Sequence, residues 1–257
     1  MKIALLQTAI AWENKQENIR RCEAQIRALP GDVRLVVWPE MFTTGFSMHA
    51  KALAETEAGD TLQWLRRTAV ARATAIAGSV IIEERERYFN RLFFVFPDGS
   101  YQTYDKRHLF SMGDEHRFYT AGTQRLIVAY AGWRICPLVC YDLRFPVWSR
   151  NYGEAYDLLL YVANWPAARL PVWDTLLPAR AIENQCYVAG VNCCGRDGAG
   201  THYGGRSQVV DFKGQVVAVA GERDGEALIA TLSRDELDAF RKKFPVGNDA
   251  DRYSLFW

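Results

Sequence analysis

The sequence predicts an α/β protein in which two mixed sheets pack face to face and helices cover both outer faces. Three observations predict it. Short apolar runs of strand composition are numerous along the 257 residues. The first three alternate with helical stretches in the order β-α-β-α-β. Two hairpin signals, Pro97-Asp98-Gly99 and Lys213-Gly214, add antiparallel partners in each half of the chain.

Residues 2–7 read as a buried strand. Residues 14–29 read as a helix, because Ile19, Cys22, Ile26 and Leu29 recur at three- and four-residue spacing. Residues 35–38 form the second strand, a stretch carrying Leu62, Leu65 and Val70 the second helix, and residues 75–82 the third strand. Residues 92–96 and 101–104 flank the first turn as a hairpin. Residues 125–128 and 133–139 are further strands, with a turn or helix start at Cys140 and Tyr141. The strand at 157–163 ends in Asn164-Trp165-Pro166, and a helix at 172–185 and a strand at 186–192 follow. Residues 207–212, 215–220 and 227–232 are strands around the second turn, and residues 234–244 close the pattern as a helix.

No linker, charge block, low-complexity tract or internal repeat divides the chain, so one domain over residues 1–257 is expected, with 246–257 as a tail. That tail mixes polar residues with Tyr253, Phe256 and Trp257, a composition suited to docking on a neighbour or on its own sheet. The formal net charge of +1 gives no field to attract a phosphate backbone or an anionic bilayer, so neither nucleic acid nor a membrane surface is an expected partner. Gln7 and Thr8 interrupt the first apolar run too early for a signal peptide, and nothing approaches the roughly 18 apolar residues of a membrane span. Six cysteines, at 22, 136, 140, 186, 193 and 194, lack zinc-type pairing and disulfide-scaffold density, and read as reduced thiols of a cytoplasmic protein. The adjacent Cys193 and Cys194 would point to opposite faces of a strand rather than form a bridge.

Three polar residues stand at the ends of apolar runs: Glu40 after Leu35-Val36-Val37-Trp38-Pro39, Lys106 in Tyr104-Asp105-Lys106-Arg107-His108, and Cys140 in Leu138-Val139-Cys140-Tyr141-Asp142-Leu143-Arg144-Phe145-Pro146. Each has a plain structural reading alone. A single cysteine is common core filler, a glutamate can cap a helix, and a lysine flanked by charges is ordinary surface. Together they form an acid/base, a cation and a thiol nucleophile. Their combination and order resemble the carbon-nitrogen hydrolase (nitrilase) superfamily and its Glu-Lys-Cys site.

The resemblance runs over essentially the whole chain. It implies a four-layer α-β-β-α sandwich, an enzyme that cleaves carbon-nitrogen bonds of linear amides, and a homodimer; the sequence shows no phosphate-cradling Gly-rich loop or metal constellation, so no cofactor is expected. Glu115, in Asp114-Glu115-His116, matches a second glutamate that the family places beside the lysine. In the mechanism the resemblance implies, Glu40 takes the Cys140 proton and the thiolate attacks the carbonyl carbon. The oxyanion sits between the Lys106 ammonium and the Tyr141 N–H, and Glu40 protonates departing ammonia and then activates the water that opens the thioester. Two carboxylates on one cation should titrate as a set, which leaves open which of Glu40 and Glu115 holds a proton.

Within the superfamily the likeness is to omega-amidases, through Lys106-Arg107-His108-Leu109-Phe110, Asp114-Glu115-His116 and Arg180-Ala181-Ile182-Glu183-Asn184-Gln185. The implied substrates are small 2-oxo-dicarboxylate monoamides. Carbamoyl, nitrile and deaminated-glutathione branches share the core residues and stand as alternatives. A substrate carboxylate requires a cationic or hydroxyl partner, for which Arg144, Arg169, Tyr119 and Thr201 are candidates. The segments 41–46 and 112–119 are expected to wall the pocket, with Phe42 and Trp165 also against substrate. Asp142 and Arg144 are expected to pair with backbone or with each other and hold the turn that exposes the thiol. Activation of the thiol by His108, His116 or His202 is the competing scheme, and a silent scaffold or a redox thiol protein are the competing classes.

Overall fold

Alternation along the strands decides how this chain folds. The structure, a computed structural model, describes residues 1–251 and 254. In the first sheet β1 (Lys2–Leu6), β2 (Leu35–Val37), β3 (Ala75–Glu84), β4 (Arg87–Val95) and β5 (Tyr101–Asp105) are joined by a late strand, β14 (Ala227–Thr231), in the order β14-β1-β2-β3-β4-β5. The second sheet contains β6 (Val128–Tyr130), β7 (Trp133–Val139), β8 (Leu158–Ala163), β9 (Tyr187–Asn192), β12 (Gln208–Val210) and β13 (Val216–Val219), in the order β13-β12-β9-β8-β7-β6. β10 (Cys194–Arg196) and β11 (His202–Gly204) form a separate two-stranded hairpin.

In the first sheet Ile3, Leu5, Leu35, Val37, Ala75 and Ala77 face the second sheet and share its core. Their neighbours Ala4, Leu6, Val36 and Ile76 face outward against helices α1 (Lys15–Arg27) and α3 (Asp60–Arg72). The period of two thus buries both faces of every central strand, and the two faces meet different layers. On the far side, Trp173, Leu177 and Ala181 of α6 (Leu170–Asn184) and Leu237 of α7 (Arg234–Lys243) close the second sheet. The result is the expected four-layer α-β-β-α sandwich. Three single-turn helices, α2 (Ala50–Leu53), α4 (Glu115–Phe118) and α5 (Pro146–Ser149), lie in the connections.

Local differences from the sequence reading have physical causes. β3 runs two residues further than expected and β4 begins five residues earlier, the two joined by an Arg85-Glu86 turn with φ of +53° and +61° at its two residues. Charged residues of that kind read as loop, yet positive φ at both central positions is what a two-residue hairpin needs. The strand expected at 125–128 lies at Val128–Tyr130, because a second turn of this type, Ala131-Gly132 (φ +49° and +78°), sets Tyr130 opposite Trp133. In α3 Leu62 and Leu65 are buried as expected, but Val70 is exposed, and Trp64 and Ala69 complete the face. The aromatic residues of the expected tail, Tyr253, Phe256 and Trp257, lie outside the described residues.

Strand direction positions the site. β1, β2 and β3 are parallel neighbours in one sheet, and β7, β8 and β9 in the other. The carboxyl ends of such strands are where open α/β sheets present polar groups. Glu40 follows β2, Lys106 follows β5, Cys140 follows β7 and Asn164 follows β8.

Candidate active site

Cys140 begins a 3-10 turn, Cys140–Arg144, directly after β7, and its φ is +44°, a left-handed conformation that a non-glycine residue adopts only when its surroundings impose it. The imposing group is Asp142. Fully buried, it accepts from the Val139 N–H (3.0 Å), the Tyr104 hydroxyl (2.7 Å), the His108 N–H (2.9 Å) and the His108 ring nitrogen Nδ1 (2.7 Å). Trp148 donates to the Tyr104 oxygen in turn (2.9 Å), so the turn is fixed from behind by a bonded network. Of the two pairings expected for Asp142 and Arg144, the backbone one is found. Arg144 does not reach Asp142 and lies instead over the Trp165 ring, 5.3 Å from its centroid.

The Cys140 sulfur lies 3.9 Å from the Asn164 carbonyl oxygen. Glu40, with no exposed surface, accepts on Oε1 from Lys106 Nζ (2.8 Å) and Asn90 Nδ2 (2.7 Å), and on Oε2 from the Asn164 N–H (2.9 Å). Asn164 Nδ2 also donates to the Glu40 carbonyl oxygen (2.7 Å), which locks the end of β8 to the end of β2. Lys106 Nζ reaches both Glu115 oxygens, at 3.0 and 2.8 Å, and Glu115 Oε2 accepts from the Phe110 N–H at 2.6 Å. Glu40, Lys106 and Glu115 are thus one buried charge cluster, with Cys140 beside it.

Electrostatics follows from that burial. Desolvation and the neighbouring Glu40 carboxylate hold the Cys140 thiol well above its ordinary value, against the pull of the Lys106 ammonium. The sulfur is therefore a thiol at rest, and to serve as a nucleophile it would need a base to take its proton. Burial alone would push Lys106 down, but the Glu115 and Glu40 carboxylates outweigh it and hold the ammonium above its ordinary value. Glu115 is pushed up, first by burial and then by Glu40, against the attraction of Lys106. Of the second glutamate and the lysine, then, the first is the readier to hold an extra proton and the second stays charged.

These groups open onto a cavity of about 580 Å³. Glu40, Lys106 and Cys140 line it, whereas Glu115 stands behind Lys106 and does not. Tyr141 lines it too, and its N–H belongs to the first turn of the 3-10 segment, where no preceding helical carbonyl is available. Among the substrate candidates, Arg144, Trp165, Arg169 and Thr201 lie on the wall. Phe42 and Tyr119 do not. Phe42 stacks on Trp38 (centroids 5.5 Å apart) beneath β3, because the outward face of β2 needs an aromatic plug against α3. Tyr119 is buried and donates its hydroxyl to the Ser47 carbonyl, bracing the wall from behind. The wall uses Phe46 to His49 rather than residues 41–45, and Met112 and Gly113 from the second expected segment. His108 is bonded to Asp142, and His116 and His202 are exposed, so no histidine bonds the sulfur.

Sequence reasoning missed Asn90, read Asn164 as the end of a strand, and passed over Trp12 and Tyr203, which line the cavity. The available signal was an asparagine inside or closing an apolar strand: Asn90 within β4, Asn164 after β8, Asn192 ending β9. Asn192 is buried and accepts from the Trp165 N–H at 2.6 Å, so it too shapes the rim. Among the described residues no group of three or more His, Cys, Asp or Glu is placed to hold a metal ion, all six cysteines are free, and no helix is long and apolar enough to cross a membrane.

The sequence was compared with known proteins. Residues 2–242 match the carbon-nitrogen hydrolase family. The chain is 48% identical over 257 residues to the omega-amidase YafV of Escherichia coli, covering 100% of this chain and 99% of that protein. It is 34% identical over 251 residues to a 2-oxoglutaramate amidase of Bacillus subtilis, covering 96% of each. Its structure superposes on that of XC1258 from Xanthomonas campestris, described as a CN-hydrolase superfamily protein with an arsenic adduct in the active site, with a TM-score of 0.97 at 44% identity, covering 100% of this chain and 99% of the other. By that match along nearly its whole length, the chain belongs to the carbon-nitrogen hydrolase family.

Proposed function

We propose that this protein is an omega-amidase, which hydrolyses the terminal amide of small 2-oxo-dicarboxylate monoamides such as 2-oxoglutaramate to the acid and ammonia. The observation that carries the reading is the convergence of Cys140, Glu40 and Lys106 on one cavity whose wall also presents Arg144 and Arg169. Among the described residues neither arginine is bonded to a carboxylate: Arg144 lies over Trp165 and Arg169 over Phe110, 5.0 Å from its centroid. Each is available to the free carboxylate of the substrate. A neutral nitrile or simple amide has no use for them.

In this reading Cys140 Sγ attacks the amide carbon while its proton passes to Glu40. The oxygen takes up the electron pair of the C=O bond and is held by Lys106 Nζ and the Tyr141 N–H. Collapse breaks the C–N bond, and Glu40 returns its proton to the departing nitrogen as ammonia forms. A thioester remains. Glu40 then takes a proton from water, the hydroxide adds to the thioester carbon, and the carboxylic acid leaves as the thiol regains its proton. Glu115 keeps Lys106 charged and in place from the side away from the cavity.

Ammonia release tests this. Wild type should act on 2-oxoglutaramate much faster than on glutamine or a simple nitrile, and Cys140→Ala should release none. Preference for the nitrile would overturn the branch and leave the family. The reading also carries a single domain, from the undivided composition, a cytoplasmic enzyme, from the cysteine usage, and a homodimer, as the family resemblance implies; light scattering separates dimer from monomer.

A further inference from the structure

Besides Lys106, one side chain bonds both glutamates of the site. Asn90, in β4 and fully buried, donates from Nδ2 to Glu40 Oε1 at 2.7 Å and to Glu115 Oε1 at 3.3 Å. Its orientation is fixed by chemistry, since turning the amide over would point its oxygen at two carboxylates. Among the described residues that orientation leaves Asn90 Oδ1 buried without a partner, a cost that packing alone would avoid with an apolar residue. Lone pairs give the amide a task. Glu40 Oε1 has two acceptor sites, and Lys106 and Asn90 fill both. Glu40 Oε2 accepts from the Asn164 N–H, and no second hydrogen bond to it is seen among the described residues, which leaves an acceptor site for the neighbouring Cys140 thiol.

We propose that Asn90 is a positioning residue for the reaction: it occupies Glu40 Oε1, so that Oε2 is the oxygen that takes the Cys140 proton and returns it to the departing nitrogen. Being neutral, it also holds the two glutamates side by side without a second cation competing for the charge that Lys106 brings to the oxyanion. The inference rests on the hydrolase reading above.

The test is kcat and KM for 2-oxoglutaramate across pH in Asn90→Ala and Asn90→Asp, beside wild type and Cys140→Ala. Loss of a hydrogen bond to a charged group predicts a fall in kcat of at least about tenfold in both, with KM nearly unchanged. The acidic limb of kcat/KM should move to higher pH, because carboxylates that lose an N–H donor take up a proton more readily. The isosteric Asp should be no better than Ala, since it fills the same space but offers no amide donor and repels both glutamates. A near-wild-type Asp variant, or an acidic limb that stays in place, would mean that Asn90 only fills volume and would overturn the proposal. Should the Ala variant not fold, the isosteric Asp carries the same test. Unaffected Asn90 variants beside a dead Cys140→Ala would sink this inference alone, whereas wild type inactive on every amide would sink the hydrolase reading.

Discussion

Replacing Lys106 with methionine keeps the length of the side chain and removes only its charge and its three N–H donors. The structure gives the size of the effect. Nζ makes contacts of 2.8, 3.0 and 2.8 Å to two carboxylates that have no exposed surface. Removing one partner of a buried ion pair costs about 3–5 kcal/mol, because the remaining charge is left uncompensated. For a chain of this size that is roughly 6–20 °C in Tm. The loss depends on pH with a definite sign. Glu115 already sits above its ordinary value, and without the ammonium it rises further, so the folded state binds protons that the unfolded state has released. The deficit should therefore be greatest at neutral and alkaline pH and shrink toward about pH 4.3, where an unfolded glutamate is itself half protonated. Melting curves at several pH values read the stability. Ammonia release reads catalysis, where loss of an oxyanion donor predicts a fall of about 10²–10³ in kcat. A Lys106→Met protein that melts within about a degree of wild type at neutral pH, where loss of the buried pair should cost about 6 °C or more, or that keeps its activity, would refute the buried charge cluster.

Three further outcomes follow from the same geometry. Asp142→Ala strands the buried Val139 N–H and unties His108 and Tyr104, so it should lose about 3 kcal/mol or more in denaturant unfolding and, with the turn at Cys140 released, most of its activity; an active, stable variant would show that the left-handed Cys140 needs no such anchor. Glu115→Gln should flatten the pH dependence of stability: a raised carboxyl stabilises fully below its unfolded value and loses that contribution as pH rises through its folded value, so wild type should lose more than the variant between about pH 4.5 and 8 in thermal melts. Arg144→Ala and Arg169→Ala should each raise KM for 2-oxoglutaramate, by about tenfold or more for the arginine that pairs the carboxylate, while leaving turnover of an uncharged amide unchanged; equal effects on both substrates in steady-state kinetics would remove them from carboxylate recognition.

How much of this was legible in the sequence depended on whether a residue's role is local. Glu40, Lys106 and Cys140 stand where apolar runs stop, and an interruption of that kind survives in one dimension. The order of strands and helices was legible for the same reason, since periods of two and of three to four are local. Turns without a glycine signal were not, as with Arg85-Glu86, whose positive φ values are imposed by the pairing of β3 with β4. Nor was the pairing of β14 with β1, for which the chain returns from the second sheet to the first and joins residues more than 200 apart. Within the site, Phe42 and Tyr119 were expected on the cavity because they neighbour motif residues. Adjacent residues point to different layers, and theirs are the core and the back of the wall. Asn90 was invisible because its task exists only once β4 stands between Glu40 and Glu115.

The central claim is that the Cys140 sulfur carries the acyl group between departure of ammonia and arrival of water. Mixing enzyme with 2-oxoglutaramate, quenching in acid within a turnover and mapping peptides by mass spectrometry tests it directly. The account predicts a mass increase equal to the substrate less ammonia, confined to the peptide bearing Cys140 and absent from Cys140→Ala. An adduct on Cys193 or Cys194, or ammonia released by the Cys140→Ala protein, would contradict it.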